Sequence, residues 1–182
     1  AVGITASVIG TIVGTYGFTQ LLLRIPFGFT ADKLKNHKIF MLLGFLALTL
    51  AGTTLFFAES AFIYGIARFL AGVSASTWVS FTVFTSGLVA EEDSGRAFSM
   101  VMTANNLGRF ISFIVGMLLY DLVGMKVLYL ISIGAGVIGF VLLLSVQEPQ
   151  TFSREPMELR DIPKVLKNRE LLLYSLLATL AQ

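Results

Sequence analysis

Residues 61–88 read AFIYGIARFLAGVSASTWVSFTVFTSGL. At about 1.5 Å per helical residue the run is long enough to cross a hydrocarbon core of about 30 Å. Its lone charged side chain, Arg68, lies roughly 10 Å from the start of the run. A guanidinium keeps its proton at any reachable pH. At a membrane centre it costs from about 2.5 to more than about 10 kcal/mol, depending on the reference scale. Such an Arg is therefore expected to face a bundle interior or a wet cavity. Residues 96–120 repeat the pattern, with Arg109 roughly 18 Å from the end of the run. Two intramembrane arginines on neighbouring spans point to a cavity that handles charge, and so to transport more than to anchoring.

Composition agrees. The 182 residues are 55% hydrophobic and 13% charged, with mean hydropathy +0.83. Soluble domains of this size carry about 25% charged residues. No cysteine is present, which excludes disulfides and thiolate metal sites. The single histidine, His37, is placed in a loop beside the membrane, which argues against a His-based metal cluster and a Ser–His hydrolase. No glycine loop followed by Lys-Ser/Thr is present to cradle a nucleotide. The start at Ala1 lacks a basic n-region and a cleavage site, so no signal peptide is expected.

Around the opening run, further apolar stretches fall at 4–28, 38–58, 96–120 and 126–146, giving five full spans. A sixth begins at Leu171 (LLLYSLLATLAQ) and is too short to cross, as expected for a piece of a larger membrane protein. The cations alternate between the two sides. Lys33, Lys35, Lys38, Arg96, Arg154, Arg160, Lys164, Lys167 and Arg169 lie on one, against Lys126 on the other. The positive-inside rule makes the first side cytoplasmic, with loops 29–37, 89–95 and 147–170 inside. Asp93 and Ser94 are placed to cap the fourth span. Prolines 149, 156 and 163 prevent one straight helix across 147–170. Residues 162–169 alternate apolar and basic side chains, which fits a helix on the membrane surface and equally an ordered linker.

Small residues recur at fourfold spacing: Ala104, Gly108, Ser112 and Gly116 in the fourth span; Gly72, Ser76 and Ser80 in line with Arg68 in the third. Such stripes let helix backbones approach in lipid. Gly10 and Gly14 sit beside a row of Thr11, Thr15 and Thr19, whose hydroxyls either line a polar path or bond their own helix. The fifth span holds Gly134, Gly136 and Gly139.

The first cytoplasmic loop reads Gly28-Phe-Thr-Ala-Asp32-Lys33-Leu-Lys35-Asn36-His37-Lys38, after Arg24-Ile-Pro26. It resembles the loop between helices two and three of the major facilitator superfamily, Gly-x-Leu-Ala/Ser-Asp-Arg/Lys-x-Gly-Arg/Lys-Arg/Lys. Gly28, Ala31, Asp32 and Lys33 match. Thr30 replaces Leu, Lys35 stands at the second Gly, Asn36 at the first of the two following basic places and His37 at the second. Asn36 tolerates a left-handed backbone, so a turn shifted by one residue is expected. Arg68-Phe-Leu-Ala-Gly72 resembles the Arg-x-x-x-Gly of the family's fourth helix, and Glu91–Arg96 with Ala97-Phe98 its next inner loop.

The resemblance implies an all-α polytopic membrane protein, an incomplete MFS-like helical bundle. Residues 1–146 would be the N-terminal half without its first helix, 147–170 the central cytoplasmic loop, and 171–182 the start of helix seven. It implies alternating access around a site between two halves, with Arg24, Gly28, Asp32, Lys33, His37 and Lys38 in a cytoplasmic gate. Asp32 would pair with Arg24, with a loop cation or with a helix N-terminus of the other half.

Asn105 and Asn106 lie four and three residues before Arg109, near its face of the helix. A guanidinium beside amides suits a carboxylate, phosphate or sulfonate. Arg68, Arg109, Asn105, Asn106 and Trp78 are the substrate or coupling candidates. For either Arg the competing reading is a structural ion pair; for Trp78 and Tyr64 it is packing. No complete span holds a mid-membrane Asp or Glu, so proton or ion coupling would use helices outside this chain, and no cofactor is expected. Where many drug–proton antiporters of the family carry Gly-Pro, this chain has Gly108-Arg109-Phe110. The expected function is secondary transport of a small solute, leaning to an organic anion or metabolite. A multidrug efflux carrier and a non-transporting receptor or scaffold are the alternatives. Expected partners are the solute, the bilayer of a plasma (inner) membrane and the rest of the polypeptide, with no nucleic acid.

Overall fold

Helix α1, Ala6–Leu34, opens a chain that is helical almost throughout in the computed structural model, which describes residues 5–148. It is followed by α2 (His37–Phe56), α3 (Ala61–Ser76), α4 (Trp78–Gly87), a 3-10 turn at Glu91–Asp93 and α5 (Ser94–Ser145). No strand occurs among the described residues. Four helical stretches are long and apolar enough to cross a membrane, α3 and α4 together making one of them.

α5 has 52 residues, about 78 Å if straight and so about two and a half times the thickness to be crossed. Gly124 interrupts it at φ 73°, ψ 171°. That conformation is essentially restricted to glycine, so this residue type marks the break. The pieces 94–123 and 125–145 correspond to the expected spans 96–120 and 126–146; helix occupies most of the expected connection at 121–126. The third span bends at Ser76–Thr77. There the Ser76 and Thr77 hydroxyls donate to the Val73 and Ser74 carbonyls at 2.6 and 2.8 Å, and both side chains are buried.

Gly44 of α2 makes room for that bend, since a Cβ there would collide with the Thr77 side chain. α1 and α3 run parallel. Gly72 meets Thr19, and further along Gly28 faces Val79. α2 runs antiparallel to 125–145. Lys38 reaches Leu144, Gly52 faces Ile133, and Phe56 lies beneath the Lys126 ammonium at 5.8 Å. These directions agree with the alternation inferred from loop charge. A core of Met41, Phe84 and Leu143, flanked by Phe45 and Phe81, joins α2, α4 and the end of α5. Large apolar side chains point outward: Phe62 is 77%, Phe113 79% and Leu122 78% exposed. Such a surface is stable in lipid and prone to aggregate in water.

Several expectations are corrected. The first span does not end at residue 28: α1 carries Pro26 internally and continues through Gly28, Ala31, Asp32 and Lys33 to Leu34. At about 44 Å it outruns the hydrocarbon core, so its last turns extend beyond it. His37 is not a loop residue; it is the first residue of α2 and only 2% exposed. The second loop shrinks as well, because the 3-10 turn covers 91–93 and α5 begins at Ser94. Asp93 occupies its N-cap without a side-chain cap bond. A Cβ at Gly108 or Gly116 would meet nothing within 4 Å among the described residues, and the same holds at Gly10 and Gly14. The Thr11 and Thr15 hydroxyls bond their own helix at 3.0 and 2.8 Å. The central loop beyond Glu148, the amphipathic stretch 162–169 and the span from Leu171 lie outside the described residues.

Candidate functional site

Arg109 lies on the 94–123 piece of α5. It lines an open groove of about 570 Å³ together with Ala104, Asn105, Gly108, Ser112 and Phe113. The register explains the grouping. Residues 105, 109, 112 and 113 share one helix face, and Ala104 and Gly108 lack the bulk to fill it. The Ser112 hydroxyl is occupied by the Gly108 carbonyl at 2.8 Å. Among the described residues, that leaves the Arg109 guanidinium and the Asn105 amide as the groove's polar groups without a hydrogen-bond partner. Both belong to one helix, so a bound anion would meet one wall here. Asn106, three residues from Arg109, does not line the groove.

Arg68 is elsewhere. Tyr64, one turn before it on α3, lies near Tyr129 on the second piece of α5, and Arg68 is within electrostatic reach of Tyr129. Tyr129 is absent from the sequence-based candidates, because nothing in a lone aromatic of an apolar run announces a partner on another span. Trp78 is half-buried and stacks on Phe81 at 6.2 Å, and Phe81 in turn meets Phe45 edge-on at 5.7 Å. Its described contacts are this ring packing. The described residues place Arg68, Arg109 and Trp78 in three separate settings.

The segment Asp32–Lys38 forms a polar cluster with Glu148. α1 ends at Lys35, which adopts φ 49°, while Lys35 and Asn36 donate to the carbonyls of Asp32 and Ala31. The left-handed turn therefore stays at the position of the family's second Gly and does not move to Asn36. Asn36 caps α2 instead, accepting from the Ile39 amide at 3.1 Å. His37 Nε2 lies 3.4 Å from Asp32 Oδ1. Glu148 Oε1 accepts from the amides of His37 and Lys38 at 2.5 and 3.3 Å. Lys38 Nζ donates to the carbonyls of Leu144 and Val146 at 2.9 and 2.6 Å. Among the described residues Asp32 pairs with His37, and no ion pair joins it to Arg24, which is exposed along with Lys33. Glu148 is absent from the sequence-based candidates too; its place after an apolar span gives it no local signature.

The family model of the Major Facilitator Superfamily matches residues 1–182. The chain belongs to the major facilitator superfamily. It is also 29% identical over 156 residues to an uncharacterized MFS-type transporter of the fission yeast Schizosaccharomyces pombe, a match covering 85% of this chain. The chain spans about a third of that relative's length, 33%. It is thus part of an integral, multi-pass, all-α membrane protein of a transporter family. Gly72 lets α1 and α3 come close, since a Cβ there would lie 2.7 Å from both the Thr19 Cβ and the Tyr16 carbonyl oxygen.

Proposed function

We propose that this chain is part of a secondary transporter that moves a small organic anion or metabolite by alternating access. The observation that carries the anion reading is the groove of Arg109, Asn105 and Gly108 on an otherwise apolar segment. A guanidinium fork beside an amide recognises carboxylate, phosphate or sulfonate by paired, charge-assisted hydrogen bonds. With water excluded, each bond is stronger than at an aqueous surface. The opposite wall, and any titratable group that couples transport to protons or ions, would come from the rest of the polypeptide. Arg24, Gly28, Asp32, Lys33, His37 and Lys38 form the cytoplasmic gate region in this reading. The protein resides in the plasma membrane with that region inside.

The test is a thermal-shift panel on the purified full-length parent, setting organic anions against organic cations and neutral sugars, in parallel with Arg109→Gln. An anion that stabilises the parent and not the variant supports the site. Equal stabilisation of both proteins by a cation or a sugar makes Arg109 structural and removes the anion reading, while leaving transport in place.

A further inference from the structure

We propose that His37 is the proton-responsive element of a clasp that joins the cytoplasmic ends of α2 and α5, and that acid opens this clasp. The clasp is reciprocal. The carboxylate of Glu148, which follows α5, sits on the first amides of α2; the ammonium of Lys38, from α2, sits on the last carbonyls of α5. A helix N-terminus carries partial positive charge and a C-terminus partial negative charge, so each side chain meets the pole of opposite sign. The partners are 110 residues apart in sequence, and breaking their contacts frees both helix ends together.

His37 is enclosed by this arrangement, its side chain 2% exposed. Its backbone amide is the closer of the two that hold Glu148, and its ring faces Asp32 from the end of α1. Among the described residues, the other charges close to it in sequence are Lys38 on α2 and the exposed Lys33 and Lys35 at the end of α1. α4 carries no titratable residue. His37 stands at the cytoplasmic rim, outside the apolar span that begins at Ile39. Burial holds its proton affinity below the ordinary value of 6.5, against the opposing pull of Asp32 and Glu148. The clasped form therefore favours the neutral ring, whereas an opened form returns the ring to water and to ordinary titration. The clasped state binds fewer protons. The clasp is at full strength above about pH 6.5 and weakens as pH falls below it, by at most about tenfold per pH unit for one proton.

The inference does not depend on the anion site, and neither readout below involves a substrate. Hydrogen exchange at the backbone amides of residues 37–42 is measured in the full-length parent between pH 5.5 and 7.5, corrected for intrinsic rates. Protection is expected to fall toward acid, within about tenfold per unit, and to be flat in His37→Gln. A flat wild-type profile, or the same slope in the variant, overturns the proposal. If His37→Gln does not fold, exchange of the imidazole C2 hydrogen of His37 in the wild-type protein decides. A midpoint below 6.5 supports the clasp, and one at or above 6.5 refutes it.

Discussion

Gly72→Ala tests the α1–α3 contact most directly. Carbon atoms pack at about 3.5–4.0 Å. The new Cβ would lie 2.7 Å from the Thr19 Cβ and 2.7 Å from the Tyr16 carbonyl oxygen. Both obstacles are held by the α1 backbone, so no rotamer change relieves them. The helices must separate by roughly an ångström, or the bend at Ser76–Thr77 must deepen. Overpacking of this kind costs about 1–3 kcal/mol. Gly14→Ala is the matched control: its Cβ would meet nothing within 4 Å, and helix propensity favours Ala by up to about 1 kcal/mol. Reversible unfolding of the full-length parent in mixed micelles gives both values. Thr19→Gly in the Gly72→Ala background should recover part of the loss and not all of it, because the Tyr16 carbonyl remains. A Gly72→Ala protein as stable as the Gly14→Ala control would refute this packing of α1 on α3.

Lys35→Gly should stabilise the protein by up to about 1 kcal/mol in the same unfolding assay, since glycine adopts the left-handed turn without the Cβ penalty. Gly124→Ala should cost about 1–3 kcal/mol although its Cβ would meet open space, because the cost lies in the backbone at φ 73°; an unchanged melting temperature would sink that account. Ser80→Ala should be neutral or stabilising, because the buried Ser80 hydroxyl has no hydrogen-bond partner among the described residues; a clear loss of stability would reveal one. Asp32→Asn should slow conformational cycling more than it weakens substrate binding, measured as exchange rate against affinity in proteoliposomes. A wild-type cycling rate would remove Asp32 from the gate.

The spans and their directions were legible because they rest on long-range sums: twenty or so apolar residues, and cations gathered on one side. The ends of the helices were not. Gly28, Thr30 and Asp32 look like loop residues next to Pro26, yet α1 carries them in helix, with the Thr30 hydroxyl bonded to the Pro26 carbonyl at 2.6 Å. The stripe of small residues in 104–116 reads as a contact surface, but its outcome depends on which helix lies opposite, and periodicity holds no information about that. Gly72, Gly44 and Gly136, by contrast, do meet Thr19, Thr77 and Thr49. Arg109 and Asn105 were readable as neighbours because they share one helix. Glu148 and Tyr129 act across elements and were missed for that reason.

The cluster of Asp32, His37, Lys38 and Glu148 and the candidate anion groove differ in how far this chain completes them. In that cluster, donors and acceptors find one another within the chain: Glu148 with the start of α2, Lys38 with the end of α5, Asp32 with His37. Around Arg109, most side chains from Thr103 to Leu118 are exposed, including Phe110, Phe113 and Met117. A guanidinium at that depth in lipid needs an anion or a wet cavity beside it. The described residues place no carboxylate against it. If a protein carboxylate from the rest of the polypeptide neutralised Arg109, Arg109→Gln would leave that carboxylate buried without its cation and destabilise the fold by about 3–5 kcal/mol. If a bound substrate neutralises it, the same substitution leaves the empty protein folded and removes ligand-induced stabilisation alone. The two cases separate in the ligand-free melting temperature of the variant, which is why the anion panel must include that measurement.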